Sequence, residues 1–461
     1  MGSSIARGPG NENWLSSGTC LNRHAHHHMP GGFAGLKEAA DEHAERWKRV
    51  LGWLDIPTRV PKSERRPGKQ CALIPVKVRG RLTTLIRRRS SLVCSTQMTT
   101  GEIHLMPASP KICIFGAGAI GGTMAALLAR CGARVSMVAR GQTLAALKGR
   151  ELQLKIDGEV LRTSVRVSDD PSELGVQDYV IVAAKAPSMP DIARRIGPLL
   201  GSETAVVTAM NGLPWWFFLN ANGALAGHQF EAIDPGGMIA QAIAAPSVIG
   251  CAVYVAASVD EPGIVRHQSG RRLFVGEPDN RLTPRLRRLA DWLCDAGFDC
   301  RESLDIRREI WLKLWANLSM NPISLLTTAT SDRIIGDPLL HRLCVSMMEE
   351  AAQIGTAIGV SDNPPVSMMI EKIRTLGAFK MSMLQDVELR KPVEIDALLT
   401  VTHDIGLVVG VPTPFIDGVL GLARLRASTL GLFDNDSATV ADLLRSPQHS
   451  PTQGRTETRV V

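Results

Sequence analysis

The sequence lacks the features of several protein classes, and these absences narrow its function before any motif is considered. No apolar run reaches the roughly 20 residues that a membrane-spanning helix needs. The first residues do not follow the charged-then-apolar order of a secretory signal. Ala6 stands where the N-myristoylation pattern requires Ser or Thr. We therefore expect a cytoplasmic protein without a membrane partner.

The nine cysteines show no disulfide or metal pattern, because they are odd in number, scattered and without a CxxC pair. This favours a reducing compartment over a disulfide framework. Cys113 and Cys131 lie among apolar residues and are interpreted as small core side chains. Cys294 and Cys300 are the nearest pair, but no histidines accompany them at ligand spacing, so we predict no metal site.

The net charge of +7 does not indicate a nucleic-acid partner once it is divided along the chain. Residues 1–105 contain 17 Lys or Arg and 8 Asp or Glu, so the remaining chain has a net charge of −2. That remainder shows no mixture of aromatic and basic residues of the kind that lines a nucleic-acid groove. We therefore predict no nucleic-acid partner.

Residues 1–105 differ in composition from the rest of the chain. They contain a histidine cluster at 24–28, runs of arginine and many Gly, Pro and Ser, without a long periodic pattern. We interpret the histidines as a solvated loop, with a metal site as the alternative. We predict that this segment is a disordered or dispensable extension, and that Met106 is a natural start.

Residues 106–304 alternate between strand and helix patterns. Apolar strand patterns occur at 112–115, 135–138, 179–184 and 204–209, with a further pair at 248–257 and 272–276. The turn Glu261-Pro262-Gly263 separates that pair, which we expect to form a hairpin. The alternation predicts an α/β domain with a mostly parallel sheet covered by helices on both faces.

Residues 305–433 show helical patterns almost without strands, which predicts an all-helical second domain. The polar residues 434–461 are predicted to be a tail. The helical patterns cover 307–328, 338–359, 364–386, 393–409 and 413–431, and are separated by Pro322, Pro338, Pro364, Pro392 and Pro412.

A glycine-rich turn joins the first strand pattern to a helical pattern, in the segment KICIFGAGAIGGTMAALL from Lys111 to Leu128. In a dinucleotide-binding turn, the first glycine permits the bend, the second lets the backbone approach a pyrophosphate, and the third lets the helix pack on the strand. The positive end of the helix then faces the pyrophosphate. A turn that only caps a helix is the alternative. The predicted contacts are Gly116, Ala117, Gly118, Ala119, Ile120 and Gly121.

The residue after the second strand pattern indicates which nicotinamide cofactor is bound. An acidic residue there would hold the ribose 2′-hydroxyl of NAD, whereas an arginine can pair with the 2′-phosphate of NADP. The chain reads VSMVARGQT, with Arg140 at this position and no Asp or Glu beside it. We therefore predict NADP (NADPH) as the cofactor, the alternative being a plain surface arginine.

A helical pattern at 311–326 carries polar residues on one face of an otherwise apolar segment. Lys313, Asn317 and Asn321 are four residues apart and share that face. Buried polar groups without partners cost about 1–3 kcal/mol each, so either a protein element or a ligand must pair them. Reduction of a ketone by hydride transfer needs a proton donor, which a desolvated lysine can be. Asparagines can orient a carboxylate or carbonyl, so the stripe suits a 2-keto acid.

Taken in order, the motifs resemble those of the ketopantoate reductases, also called 2-dehydropantoate 2-reductases. The resemblance covers about 106–433 and implies a Rossmann-type NADP-binding domain, 106–304, followed by a helical substrate and dimerisation domain, 305–433. It also implies a site in the cleft between them and a role in pantothenate biosynthesis. The motifs are KICIFGAGAIGG, AAK at 183–185, MNG at 210–212, KLWANLSMNP at 313–322, SMLQD at 382–386 and VEID at 393–396.

The resemblance implies roles for single residues as well. Lys313 corresponds to the family's catalytic proton donor. The implied substrate-binding residues are Asn211, Asn317, Asn321 and Ser382. The implied cofactor-binding residues beyond the turn and Arg140 are Lys185, Asn211, Ala256 through its backbone, and Glu394.

Two departures from the family pattern leave the substrate open. Ser331 stands where a further substrate-contacting asparagine is expected. The bulky run Trp215-Trp216-Phe217-Phe218 is interpreted as core, with a homodimer contact or the mouth of the cleft as alternatives. We predict NADPH-dependent reduction of ketopantoate; the alternatives are reduction of another 2-keto acid and a cofactor-sensing module without catalysis.

Overall fold

The computed structural model describes residues 74–78, 81–88, 91–93, 109–360 and 364–434. The predictions for 1–105, the histidine cluster at 24–28, Met106 and the tail therefore fall largely outside the described residues. Three short strands within 74–93, which the sequence pattern did not predict, pair antiparallel in chain order: β1 (Ile74–Val78), β2 (Arg81–Arg88) and β3 (Ser91–Val93). They belong to a unit, Met1–His104, that is distinct from Leu105–Val461.

A ten-stranded sheet forms the first part of the larger unit, in the order β7-β6-β12-β11-β10-β9-β4-β5-β8, with β13 paired to β12. The six strands from β11 to β8 in this order run parallel. The strands are β4 (Lys111–Phe115), β5 (Arg134–Val138), β6 (Leu152–Ile156), β7 (Glu159–Thr163), β8 (Arg166–Ser168), β9 (Tyr179–Val182), β10 (Ala205–Thr208), β11 (Val248–Glu261), β12 (Ile264–Gly276) and β13 (Asp299–Glu302).

The centre of the sheet confirms the strand predictions, and its edge adds to them. Strands β4, β9 and β10 are almost completely buried, as near-continuous apolar runs covered on both faces should be. The predicted hairpin is formed by β11 and β12, which pair antiparallel around Pro262. The short strands β6, β7, β8 and β13 were not predicted, because three to five residues of mixed apolar and polar sequence are similar to loops.

In the described residues, five α-helices lie in the sheet region and seven follow residue 305, where no strand occurs. None of those in the described residues is long and apolar enough to cross a membrane. They are α1 (Ala119–Arg130), α2 (Gly141–Gly149), α3 (Met189–Arg195), α4 (Met238–Ala242), α5 (Pro284–Asp295), α6 (Ile306–Thr327), α7 (Ser331–Gly336), α8 (Pro338–Ala357), α9 (Val366–Arg374), α10 (Ser382–Glu388), a π-helical turn (Asp396–Thr400), α11 (Val401–Val409) and α12 (Pro414–Thr429).

Two helix boundaries differ from the prediction. Pro322 was expected to separate helices, but it lies buried inside α6, which continues to Thr327. A proline inside a helix removes one backbone hydrogen bond, so the tertiary packing of α6 overrides this local preference. The pattern at 364–386 was expected to be one helix, but it is divided into α9 and α10. Gly377, whose φ is +65°, lies in the segment between them.

Helix α6 connects the two parts of the larger unit. It packs against α8, α10 and α12 of the helical part, and also against β11 of the sheet. Trp311 and Trp315 on α6 are fully buried in an apolar cluster that covers one face of the sheet, and a second cluster with α1 and α5 covers the other. The polar side of α6 is therefore placed where the sheet and the helices meet.

Candidate active site

The three glycines of the turn between β4 and α1 have different surroundings. Gly116 has a φ of +115°, which strongly favours glycine. A Cβ added to Gly121 would lie 1.9 Å from the carbonyl oxygen of Gly116, so only glycine lets α1 pack so closely. A Cβ added to Gly118 would meet nothing within 4 Å. The turn is therefore tight at its first and third glycines and open at its second, where the cofactor was predicted.

The start of α1 is suited to an anion. The helix begins at Ala119 without a side-chain cap and without an acidic residue in its first turn. Amide groups at an uncapped helix start carry a partial positive charge and bind phosphate groups. The adjacent Ala117 and Ile120 are half-buried. This part of the predicted cofactor site thus has the form that a pyrophosphate requires.

Arg140 follows β5, which ends at Val138. The end of β5 lies next to the glycine turn, because the amide of Gly116 donates to the carbonyl of Val138 at 3.3 Å. The guanidinium of Arg140 is 3.1 Å from the carboxylate of Asp191 on α3, and 62% of the Arg140 side chain is exposed. The sequence places no acid beside Arg140 along the chain, but Asp191 reaches it from 51 residues away. Sequence analysis missed this partner.

Lys313 on α6 belongs to a chain of polar groups in which Lys313 and Asn211 are half-buried and Glu394 is buried. Its Nζ donates to Oδ1 of Asn211 at 2.7 Å, and Nδ2 of Asn211 donates to Oε2 of Glu394 at 3.3 Å. These two contacts fix the orientation of the Asn211 amide. Burial lowers the pKa of Lys313 from 10.5 to about 8, with the Glu394 carboxylate acting in the opposite direction. The lysine can therefore gain and lose a proton near neutral pH.

Glu394 and Lys185 connect the sheet to the helical part. The amide of Ala186 donates to Oε1 of Glu394 at 3.1 Å, and burial raises the pKa of this carboxyl while that amide lowers it. Lys185 lies 2.6 Å from Asp386 and donates to the carbonyl of Pro392 at 2.9 Å. Sequence analysis missed Asp386 as a partner, although the residue lies in the quoted SMLQD motif. Consecutive residues after β9 thus bind the helical part.

The loop that carries Asn211 rests on the π-helical turn. The amide of Leu213 donates to the carbonyl of Ala397 at 2.9 Å. Gly212, with a φ of +77°, approaches that carbonyl so closely that an added Cβ would lie 2.4 Å from it. π-Helical turns are rare and are frequent at functional sites. Sequence analysis missed Ala397, because a backbone contact leaves no side-chain signal.

The substrate-binding candidates on α6 and α10 differ in their bonding. Oδ1 of the fully buried Asn321 accepts from Oγ of Ser382 and from the amide of Met383, both at 3.0 Å. Its Nδ2 is buried with no partner among the described residues. Asn317 is half-buried, and within the same residues its side chain makes no hydrogen bond. One buried donor and one free amide are therefore left to a ligand.

The remaining predicted positions have local structural surroundings. Oγ of Ser331, at the start of α7, donates to the carbonyl of Gly377 at 2.7 Å, so it supports the loop before α10. Ala256 is half-buried in β11, next to a register shift against β12. The run 215–218 is buried, with Trp216 fully so, which confirms its interpretation as core.

Comparisons with known proteins give the sequences and structures that this chain is similar to. The family models described as "Ketopantoate reductase PanE/ApbA" and its C-terminal part match residues 112–280 and 305–427. The 2-dehydropantoate 2-reductase of Mesorhizobium japonicum is 46% identical over 324 residues, covering 70% of this chain and 99% of that relative. A solved structure from Ralstonia solanacearum MolK2, assigned to the ketopantoate reductases, is 48% identical with a TM-score of 0.68, covering 71% of this chain and all of that one.

A further solved structure of similar fold contains NADH. The ternary structure of D-mandelate dehydrogenase with NADH and anilino(oxo)acetate has a TM-score of 0.61 and 20% identity. The match covers 70% of this chain and the whole chain of the dehydrogenase. At this identity the likeness concerns the fold alone.

Proposed function

The chain belongs to the ketopantoate reductase family, and from this premise we propose that it reduces 2-dehydropantoate (ketopantoate) to pantoate with NADPH. It is an oxidoreductase, with the Rossmann-type and helical parts of that family. The observation that carries the proposal is the desolvated Lys313, which is bonded to Asn211 at the junction of the two parts.

The residues at the glycine turn fit NADPH. Gly118 leaves open space, α1 begins uncapped beside it, and the exposed Arg140 lies at the neighbouring strand end. Arg140 can pair with the 2′-phosphate, while Lys185 and the backbone at Ala256 are proposed to line the rest of the cofactor cleft. When bound there, the cofactor supplies the hydride that reduces the ketone.

Lys313 is proposed as the proton donor. As the hydride adds to C2, the C2–O double bond becomes a single bond and negative charge develops on the oxygen. The ammonium of Lys313 stabilises this charge and transfers a proton to the oxygen, which yields the alcohol and leaves a neutral lysine. A neutral lysine is accessible because burial has lowered the pKa of Lys313 to about 8. Solvent then returns the proton.

The asparagines and Ser382 are proposed to hold the substrate. Nδ2 of Asn321 is a buried donor without a partner among the described residues, and the half-buried amide of Asn317 lies one helical turn before it. Ser382 is exposed at the start of α10 and can turn its hydroxyl to a ligand. Asn211 and Glu394 position Lys313, and Glu394 also lies on the cofactor side through its bond to Ala186.

Consumption of NADPH, followed by its absorbance, tests the proposal with ketopantoate and a panel of other 2-keto acids. We expect turnover with ketopantoate by the full chain and equally by a protein that starts at Met106, since 106–304 and 305–433 are the proposed catalytic domains. A Lys313→Ala protein serves as the blank. Turnover with a different acid alone would reassign the substrate, and no turnover with any acid would refute a reductase function.

A further inference from the structure

Three arginines meet a single carboxylate at the edge of the sheet where the adenosine end of the cofactor is expected. Asp191 on α3 lies 3.1 Å from Arg140, 3.7 Å from Arg194 and 3.3 Å from Arg195, measured between the nearest nitrogen and oxygen. We propose that Arg194 is a second ligand of the cofactor's 2′-phosphate and acts beside Arg140. This inference rests on NADPH being the cofactor, as proposed above.

The three arginines differ in how much of their guanidinium remains available. Arg195 is 27% exposed and also donates to the carbonyl of Asp169, so it is occupied by the protein. Arg140 and Arg194 are 62% and 59% exposed. A guanidinium has five N–H donors, and Asp191 engages only part of each fork. Asp191 lies next to both Arg140 and Arg194, so the N–H donors of these two arginines that do not face Asp191 lie near each other. Two guanidiniums must be this close if both are to bind one phosphate.

The charge of this group is complementary to a phosphate. Arg140, Arg194, Arg195 and Asp191 have a net charge of +2 among themselves, with Asp169 and Asp170 next to Arg195 on the side away from Asp191, and a phosphate monoester has about −1.5 to −2 at neutral pH. The ribose of NADH would present only a neutral hydroxyl. An NAD-binding site needs an acid that accepts from that hydroxyl, but Asp191 already faces three cations. The group therefore favours the phosphorylated cofactor.

The same edge has room for the rest of the adenosine. The amide of Ala139 donates to the carbonyl of Ser168 at 3.0 Å, so the ends of β5 and β8 are neighbours beside Arg140. An open depression of about 400 Å³ begins where β8 ends, and Arg194 contributes to its wall. Its lining consists of Asp169, Asp170, Pro171, Arg194, Arg195 and Pro198. Arg194 thus lies between this depression and Arg140.

Binding measurements on Arg194→Gln test the inference without any turnover. Dissociation constants for NADPH, NADH and adenosine 2′,5′-bisphosphate can be measured by quenching of tryptophan fluorescence. We expect Arg194→Gln to weaken NADPH and the bisphosphate about tenfold and NADH less than about twofold. Arg162→Gln is the matched control, because Arg162 is an exposed arginine on β7, at the opposite edge of the sheet. It should leave all three constants unchanged.

The outcomes separate this inference from the proposal on which it rests. If the unaltered chain binds NADH as tightly as NADPH, the NADPH proposal itself fails. If the unaltered chain prefers NADPH and Arg194→Gln keeps that preference, only the role of Arg194 is refuted. Arg194→Lys retains the charge and should recover part of the NADPH affinity. An equal loss for NADPH and NADH in both variants would show a structural role and would also refute the inference.

Discussion

The predicted cleft around Lys313 and the edge around Arg140 both use charged groups, but they are constructed in opposite ways. Lys313 is desolvated, it donates a hydrogen bond to Asn211, and its pKa is lowered to about 8. Arg140 is 62% exposed and meets Asp191 in an ion pair that solvent reaches from both sides. Exposed ion pairs of this kind contribute about 0–1 kcal/mol to stability.

This difference separates catalysis from cofactor choice. Desolvation changes the proton affinity of Lys313, which is what the proposed chemical step needs, and Glu394 and Asn211 must be folded around it. The edge needs no altered proton affinity, only several cations in one place. Substitutions in the cleft should therefore change turnover, and substitutions at the edge should change the ratio of NADPH to NADH affinity.

Lys313→Ala is the strongest test of the cleft. We expect kcat to fall by roughly 10²- to 10⁴-fold, the range lost with a general acid, while the NADPH dissociation constant changes little. Steady-state kinetics and fluorescence titration measure the two quantities. Lys380→Ala removes an exposed lysine that pairs with Glu388 and should leave both unchanged. A kcat that falls only a few-fold in Lys313→Ala would contradict its role as the proton donor.

Arg140→Glu tests the edge with the next largest effect. Replacing a cation by an anion at the 2′-phosphate should weaken NADPH binding roughly 100-fold and NADH binding far less. The ratio of the two dissociation constants is the quantity to measure, together with kcat at saturating NADPH, which should stay near that of the unaltered chain. Equal losses for both cofactors would place Arg140 outside the phosphate site and would remove the contrast between edge and cleft.

Asn317→Ala and Asn321→Ala divide the cleft itself into ligand-binding and structural parts. Asn317 makes no side-chain hydrogen bond within the described residues, whereas Asn321 accepts from Ser382 and Met383. We expect both variants to raise the KM for ketopantoate, roughly tenfold. Only Asn321→Ala should also lower Tm, because it leaves the buried backbone amide of Met383 without its acceptor. A lower Tm in Asn317→Ala would show that this residue also supports the fold.

The sequence was sufficient where the information is local. The buried strands β4, β9 and β10 are continuous apolar runs, and the glycines of the turn have a fixed spacing. The common face of Lys313, Asn317 and Asn321 follows from helical periodicity alone. A family resemblance supplied Asn211 and Glu394 as candidates, and the structure bonds Asn211 to Lys313 and Glu394 to Asn211.

The sequence was insufficient where partners are distant or made of backbone. Asp191 reaches Arg140 from helix α3, and the contacts from Ala186 to Glu394 and from Leu213 to Ala397 use backbone amide groups that all residues except proline possess. Pro322 is tolerated inside α6 only because of the packing around that helix. These features depend on the tertiary structure, so no local pattern encodes them.

The pH dependence of turnover is the finest test of the contrast, because Lys313 should titrate in the assay range. Reduction requires the protonated lysine, and burial lowers its pKa to about 8. The kcat for ketopantoate reduction should therefore be level below this pH, about half of that level at pH 8, and about tenfold lower at pH 9. Oxidation of pantoate needs the neutral lysine and should rise over the same interval.

NADPH affinity should stay constant between about pH 7 and 9, since the phosphate has already lost its second proton near pH 6. A reduction rate that remains level through pH 9 would exclude a lysine of this pKa as the donor, whereas an NADPH affinity that falls with the rate would locate the titrating group at the edge instead of the cleft.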